Sequence, residues 1–209
     1  MYTPPAFRED DPEILRAIMC APRLALLACQ GPDGVPALSH LPLLWAPGGE
    51  HGRILGHLAR ANPHWQALRA AGRAIAVFQG VEGYVSPSHY ASKREHGRVV
   101  PTWNYEAVHA EGPVEVIEDA AGLHALVSEL TDYHEAGRAQ PWAVGDAPAP
   151  YVAGQLKGIV GIVLTIERLT GKRKLSQNRP AADRAGVLAG MAQENPPLAE
   201  AMRGLKEDS

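Results

Sequence analysis

The sequence contains little cysteine and no long apolar run. Its two cysteines, Cys20 and Cys29, are too few for a disulfide framework, so we expect two free, buried thiols. No apolar run approaches the roughly 20 residues of a membrane-spanning helix. The amino end also lacks the basic segment followed by an apolar one that marks a secretory signal. We therefore expect a cytoplasmic protein without membrane contact.

Several motifs that would define a nucleotide, metal or hydrolase site are absent. The sequence has no G-x-G-x-x-G after a strand and no G-x-x-x-x-G-K-[ST], so neither a Rossmann nor a P-loop site is supported. It also lacks H-E-x-x-H, C-x-x-C and G-x-S-x-G, so we predict no metal site and no nucleophile elbow. The formal net charge of −3 argues against a dedicated nucleic-acid binder, but it leaves a local basic patch open.

The sequence does contain many short, strand-like segments with helices between them. Strands are predicted at 24–29, 37–45, 53–58, 73–79, 103–117 and 159–169. Helices are predicted at 10–20, 63–71, 119–135 and 180–194, with shorter ones at 151–156 and 197–205. Because these helices do not alternate regularly with the strands, we predict a mainly β (α+β) fold, an antiparallel barrel with peripheral helices. Residues 83–101 lack periodicity and are predicted to form a long loop.

The first candidate site combines two polar segments. Ser39 and His40 lie in one predicted strand, while His57, Arg60 and Asn62 run from another strand to the start of a helix. A helix start attracts anions, and an arginine beside it can bind a phosphate through two hydrogen bonds. The alternative is that Asn62 only caps the helix and Arg60 is a solvated surface charge.

The second candidate is an aromatic segment at the start of a strand. Trp103 and Tyr105 flank Asn104, so the two rings could enclose a planar ligand whose edge the amide would recognise. Aromatic residues more often pack in a core, and this motif alone does not favour either interpretation.

A third candidate is the basic segment 172–180, which carries Lys172, Lys174, Gln177, Asn178 and Arg179. Asn178 is predicted to cap the helix that follows, which would make a second anion-attracting helix start. The alternative is a solvated basic turn. The polar residues of 84–98 could form a lid or substrate loop, or a plain exposed loop.

These segments together resemble one known family. The matching stretches are MYTPPAF (1–7), SHLPLL (39–44), GHLARANPHW (56–65), YVSPSHY (84–90), VPTWNYEAVHAEG (100–112) and KLSQNRPAADR (174–184). In that order they are similar to the PaiB-like family, the FMN-binding negative transcriptional regulators. The resemblance implies a split β-barrel related to pyridoxamine-phosphate oxidases and flavin reductases. It also implies a homodimer that holds FMN in a groove between its subunits.

The resemblance also assigns roles to the candidate residues. Those implied to contact the phosphate and ribityl chain of FMN are Ser39, His40, His57, Arg60 and Asn62. Trp103 and Asn104 are implied to contact its ring, from either subunit. Gln177, Asn178 and Arg179 are implied to close the pocket. We predict an FMN-binding split-barrel domain at 1–175 and, packed on it, a C-terminal helical extension at 176–209.

Three functions remain open from the sequence. The first is an FMN-binding transcriptional repressor, although no recognition helix is evident and the best basic patch for DNA is 168–184. The second is a flavin-dependent oxidoreductase, either a reductase that uses NAD(P)H or an oxidase, without direct DNA binding. Its catalytic residues are unassigned, with His57, His89 and Lys174 as candidates. The third is a non-catalytic binder whose flavin site has degenerated.

Overall fold

The computed structural model describes residues 1–205 as nine strands, seven α-helices and short 3-10 turns. The strands are β1 (Arg8–Glu9), β2 (Leu24–Gln30), β3 (Pro36–Pro42), β4 (Leu44–Ala46), β5 (Arg53–Ala59), β6 (Arg73–Val85), β7 (Thr102–Ile117), β8 (Ile159–Thr165) and β9 (Arg168–Lys174). The helices are α1 (Pro12–Met19), α2 (His64–Ala71), α3 (Ser92–Glu95), α4 (Ala120–Glu135), α5 (Ala149–Leu156), α6 (Ala181–Glu194) and α7 (Pro196–Arg203). None of these helices is long and apolar enough to span a membrane.

Two compact units divide the chain. The terminal unit contains Met1–Ala21, Gln79–Val108 and the described residues from Thr170 onward. The central unit contains Pro22–Phe78 and His109–Leu169. Strands β6 and β7 each contribute one part to each unit. The predicted boundary between a barrel domain and a C-terminal extension at residue 175 stays a prediction.

The central unit is built on a sheet with the strand order β3-β2-β6-β7-β8-β5-β4. The β2–β3 hairpin turns at residues 30–34, whose sequence QGPDG is typical of a turn, and Gly34 takes the left-handed conformation that the turn needs, with φ 82°. Strand β5 pairs antiparallel with β8 along its whole length, and Leu58, Val160 and Leu164 from this pair are buried. The predicted mainly antiparallel architecture with peripheral helices is confirmed.

The terminal unit places α6 and α7 on a small sheet. Strand β9 pairs with β1 on one side and with β7 on the other. The buried cluster of this unit comprises Val85, Tyr90, Leu175, Val187, Met191, Leu198, Ala199 and Met202. Side chains of α6 and α7 supply much of this cluster, because each helix turns an apolar stripe inward.

Several local predictions are wrong, and each error has a physical cause. The segment predicted as one strand at 159–169 contains all of β8 and the start of β9, because a break of two residues at 166–167 separates the two strands. The predicted loop at 83–101 contains the end of β6 and the short helix α3. Asn178 does not cap α6, because the residue before that helix is Pro180 and no side chain caps it.

Candidate functional site

Three polar side chains meet at the start of α2 in the central unit. Asn62 Oδ1 accepts a hydrogen bond of 3.0 Å from the amide of His64, the first residue of the helix. Asn62 Nδ2 donates to Ser39 Oγ at 3.2 Å, and His64 Nδ1 lies 2.8 Å from the same oxygen. We call these residues the Ser39 cluster. They connect β3 to the helix start, so their positions are fixed relative to each other.

A cavity of about 760 Å³ lies beside the Ser39 cluster. It is lined by Gln30, Gly31, Pro32, Ala37, Leu38, Asn62, Pro63, His64, Gln66, Ala67, Ala70 and Ala71. Its walls therefore come from the β2–β3 hairpin and from one side of α2, and they carry no ionised carboxylate, lysine or arginine. The volume and the mixture of apolar walls with a few polar groups are typical of small-molecule sites.

Two histidines in this unit, the buried His64 and the half-buried His57, each have a buried ring nitrogen without a hydrogen-bond partner among residues 1–205. These atoms are Nε2 of His64 and Nδ1 of His57, which lies in β5 opposite Gly161 of β8. Buried polar atoms are normally paired, so each such atom requires an explanation. Burial lowers the pKa of both imidazoles, so they are neutral at pH 7 and each ring has one N–H donor and one acceptor. Both histidines therefore fit a ligand that offers hydrogen-bonding groups.

We expect the protein to lose stability as the pH falls from 7.5 to 5.5. Burial lowers the pKa of His57, His64 and His109 in the folded protein below the value of about 6.5 that applies when it is unfolded. The unfolded chain therefore takes up more protons in this range, and acid favours unfolding. Urea titrations at several pH values measure this dependence, which should become shallower in the His64→Gln variant. A free energy of unfolding that rises toward pH 5.5 would contradict the assignment.

Arg60 is held in place by the protein itself. Its Nε donates to the carbonyl of Lys157 at 3.0 Å, and its Nη2 donates to the carbonyl of Ile159 at 3.1 Å. Its Nη1 contacts Glu118 at 2.8 Å, and hydrogen bonds from Arg69 and Arg60 lower the pKa of that carboxyl group. A phosphate bound by Arg60 would have to replace one of these partners. The predicted phosphate contact of Arg60 stays a prediction.

The remaining predicted residue of the central unit is His40. It is exposed on β3 and follows Ser39, which is buried. Because successive side chains of a strand point to opposite faces, His40 points away from the side on which Ser39 meets Asn62 and His64. The structure thus brings together Ser39 and Asn62 but leaves His40 on the other face of β3.

In the terminal unit, Trp103 and Asn104 occupy opposite faces of β7. Trp103 is 52% exposed and makes an edge-to-face contact with Tyr84, with ring centroids 6.4 Å apart. Asn104 is fully buried and donates through Nδ2 to Ser176 Oγ at 2.9 Å. The two side chains therefore do not contact one ligand from the same face of the strand.

Gln177, Asn178 and Arg179 form the turn between β9 and α6. Gln177 Oε1 accepts from the amide of Leu175 at 2.7 Å, and its Nε2 donates to the carbonyl of Arg173 at 2.6 Å. Asn178 is exposed. The guanidinium of Arg179 lies 4.8 Å from the centre of the Tyr90 ring, a cation–π distance. This turn is therefore ordered mainly by its own polar contacts.

Sequence reasoning left His64 out of the predicted site, although it lies within the GHLARANPHW stretch. A signal was present, because a histidine in the first turn of a predicted helix can reach a polar residue on a neighbouring strand. The strand that supplies Ser39 cannot be identified without the tertiary structure. Among residues 1–205, no group of three side chains is arranged to hold a metal ion.

Comparisons with known proteins add to this geometry. The family described as "Putative FMN-binding domain" matches residues 1–168 of the chain. The chain is also similar to "Protease synthase and sporulation protein PAI 2" of Bacillus subtilis. The two are 36% identical over 176 residues, which cover 84% of this chain and 82% of that protein.

Two solved structures show the fold. Rv2991 of Mycobacterium tuberculosis, a conserved hypothetical protein, has a TM-score of 0.58 at 18% identity, over 86% of this chain and 94% of that one. The FAD and heme binding protein of Mycobacterium smegmatis has a TM-score of 0.57 at 20% identity, over 80% of this chain and 73% of that one. The predicted split β-barrel class is confirmed.

Proposed function

This chain belongs to the FMN-binding domain family and FMN is its cofactor, and we propose that it is a homodimeric negative transcriptional regulator with FMN at the subunit interface. Within the chain, we propose that the Ser39 cluster and His57 contact the phosphate and ribityl chain. Trp103, Asn104, Gln177, Asn178 and Arg179 are proposed as further FMN contacts, from either copy of the chain in the dimer.

The observation that carries this proposal is the pair of unpartnered buried nitrogens in the central unit. His64 Nε2 belongs to the Ser39 cluster, which lies beside the cavity at the start of α2. The ribityl chain of FMN carries hydroxyl groups that can donate to or accept from a neutral imidazole. The positive end of the α2 dipole favours the phosphate, and the mainly apolar cavity wall suits a flat ring.

Exposed apolar residues on the β2–β3 hairpin support the dimer. Leu24, Val35 and Leu38 are each more than half exposed. Exposed apolar side chains along one hairpin favour association with another protein surface. A two-fold dimer would bury the same residues twice and would create two equivalent FMN sites.

The Asn62→Asp variant tests the proposed FMN site. We expect its FMN affinity to fall by at least about 10-fold, because the new carboxylate repels the phosphate dianion while an aspartate can still cap α2. Riboflavin, which lacks the phosphate, should lose much less affinity. Quenching of flavin fluorescence on binding measures both. The control is Gln140→Glu, which adds the same charge at an exposed position of the same unit.

Equal FMN affinity in Asn62→Asp and the wild type would contradict the assignment of the Ser39 cluster. The Arg60→Ala variant tests whether Arg60 contacts the phosphate or has only a structural role. A drop in FMN affinity, together with an unchanged riboflavin affinity, would support the predicted phosphate contact of Arg60. Unchanged FMN affinity would leave Arg60 with a structural role between β5, β8 and Glu118.

Repression requires DNA binding, and an exposed basic segment supports it. Lys93, Arg94 and Arg98 are exposed in the terminal unit and could contact phosphates. The FMN-loaded dimer should bind its own promoter region more tightly than random duplex DNA at moderate salt. Equal binding to both DNAs would contradict direct repression by this protein.

The second candidate function is a flavin-dependent oxidoreductase. The uncharged, mostly apolar cavity favours it, because such walls can hold a flavin ring and exclude water. FMN supplies the hydride or electron transfer when it is bound. The test is whether NADH or NADPH bleaches the flavin absorbance under anaerobic conditions. Bleaching without specific DNA binding would favour a reductase over a transcriptional regulator.

A further inference from the structure

The basic residues on the two faces of β9 differ in whether they have carboxylate partners. Arg173 points into the terminal unit and is 8% exposed, and its guanidinium contacts Glu106 at 2.7 Å and Glu9 at 3.5 Å. Lys172 and Lys174 alternate with it and point to the opposite face. No ion pair found within residues 1–205 includes either lysine. Carboxylates thus neutralise the positive charge on one face of β9, whereas the charge on the other face has no carboxylate partner.

Lys172 is almost completely buried despite having no carboxylate partner. Only 7% of the residue is exposed, and its Nζ donates to the carbonyl of Tyr2 at 3.1 Å. The ammonium lies 5.0 Å from the centre of the Tyr105 ring and 5.7 Å from that of Tyr2. Burying a cation without a counter-charge costs free energy, which cation–π contacts offset only in part. A bound anion would offset more of this cost.

Lys174 adds a second positive charge close to the first. Its Nζ donates to Thr102 Oγ1 at the start of β7. Burial lowers the pKa of its ammonium, Tyr105 opposes the shift, and repulsion from Lys172 and Arg179 lowers the pKa further. Asp183 lies near Arg179, whereas no carboxylate pairs with Lys172 or Lys174 within residues 1–205, so these two lysines form an electrostatic site for an anion.

Aromatic rings adjoin these lysines on the same face of the small sheet. Trp103 and Tyr105 are two residues apart on β7, so they share a face, and Tyr105 contacts Lys172. The exposed ring of Trp103 meets the exposed ring of Tyr84 from β6. We call Lys172, Lys174, Tyr84, Trp103 and Tyr105 the lysine–aromatic face. Exposed rings beside two positive charges suit a ligand that has both a planar ring and a phosphate.

We propose that the lysine–aromatic face binds a small organic phosphate that carries a planar ring, with Lys172 and Lys174 on the phosphate and Trp103 against the ring. Two sources share this chemistry. One is FMN itself, in which case the inference rests on the proposed function but places the phosphate at these lysines instead of at the Ser39 cluster. The other is a second, diffusible mononucleotide. Lysine is a common phosphate ligand as a point charge, and these two lysines are already held in place by Tyr2 and Thr102.

Calorimetric titrations with four probes test the proposal: adenosine 5′-monophosphate, adenosine, FMN and riboflavin. The protein is used as the full chain, both loaded with FMN and freed from it. The test variants are Lys174→Gln and Trp103→Leu. The matched controls are Lys93→Gln and Trp142→Leu, which remove an exposed lysine and an exposed tryptophan elsewhere. Thermal melts check that every variant is folded.

We expect Lys174→Gln to weaken binding of the phosphate-bearing probe by at least about 10-fold, the loss of one charge-assisted contact. If adenosine 5′-monophosphate binds the FMN-loaded protein and adenosine binds far more weakly, the ligand is a second mononucleotide. If only FMN affinity falls, and riboflavin affinity is unchanged, the ligand is the phosphate of FMN. Binding of adenosine 5′-monophosphate that depends on Lys174 in the FMN-free protein would stand even if the protein bound no FMN, so the two proposals can fail separately.

Two results would overturn the proposal. One is unchanged binding of both phosphate probes in Lys174→Gln and Trp103→Leu, which includes a wild type that binds neither probe. The other is a single-stranded oligonucleotide whose binding depends on Lys174 while neither small probe is affected. That second result would assign the face to a nucleic acid.

Discussion

Replacing Arg173 with alanine is expected to lower the free energy of unfolding by about 3–5 kcal/mol, the cost of leaving a buried charge without its partner. Arg173 Nε contacts Glu106 Oε1 at 2.7 Å, and Nη1 contacts Glu9 Oε2 at 3.5 Å. Its Nη2 also donates to the carbonyl of Ala201 at 3.1 Å, which connects β9 to α7. The variant would leave the buried Glu106 carboxylate without its cation and would remove one contact to α7. Urea denaturation measures the loss.

A second arginine of the same strand provides the matched control. Arg168 pairs with Glu111, but its side chain is 70% exposed, so Arg168→Ala should cost no more than about 1 kcal/mol. In the Arg173→Ala background, Glu106→Gln should recover part of the stability, because a buried amide costs less than an uncompensated carboxylate. Equal costs for the two arginine variants would show that the buried ion pairs contribute little.

Local sequence signals predicted the parts of the fold that depend on neighbouring residues. Asp11 and Asp119 cap α1 and α4 through their side chains, as an acidic residue before an apolar helical pattern indicates. The QGPDG turn predicted the β2–β3 hairpin. In each of these cases the stabilising contact joins residues close together in the chain, so the sequence alone contains the information.

The break between β8 and β9 could not be predicted in the same way. Ile166, at this break, is buried and apolar like the strand residues before it, so no turn residue marks the interruption. The amide of Ile166 donates to the carbonyl of Gly52, a partner that is remote in sequence. The predicted strand ended at residue 169, whereas the structure continues β9 to Lys174 and so places Lys172 and Lys174 on a strand.

The sequence predicted many of the residues of the candidate site but not the contacts between them. Strand alternation alone places Trp103 and Asn104 on opposite faces, so the sequence already contained this distinction. The burial of Asn104 against Ser176 and the meeting of Ser39 with His64 depend on long-range contacts. FMN itself came from the family resemblance, because no spacing of residues in this chain specifies a flavin.

Replacing Gly186 with alanine is expected to destabilise the protein by roughly 3 kcal/mol, through a steric clash that exceeds the gain in helix propensity. Gly186 lies in α6, and a Cβ atom there would lie 2.0 Å from the carbonyl oxygen of His89. Backbone must therefore move, since no side-chain rotation relieves the contact. The loop around His89 is also tied to α6 by Asp183, which accepts 2.9 and 2.5 Å hydrogen bonds from the amide and hydroxyl of Ser92. A shift of this loop would strain both bonds.

Gly154 is the control that isolates this contact. It lies within α5, and a Cβ atom built there meets nothing within 4 Å. Gly154→Ala should therefore raise the free energy of unfolding by about 0.5–1 kcal/mol, the propensity difference between the two residues in a helix. The same chemical change thus has opposite expected signs in the two helices, and urea denaturation of both variants measures it. Stabilisation by both substitutions would mean that the His89 loop moves away from α6 at little cost, and that this contact does not hold residues 86–92 in place.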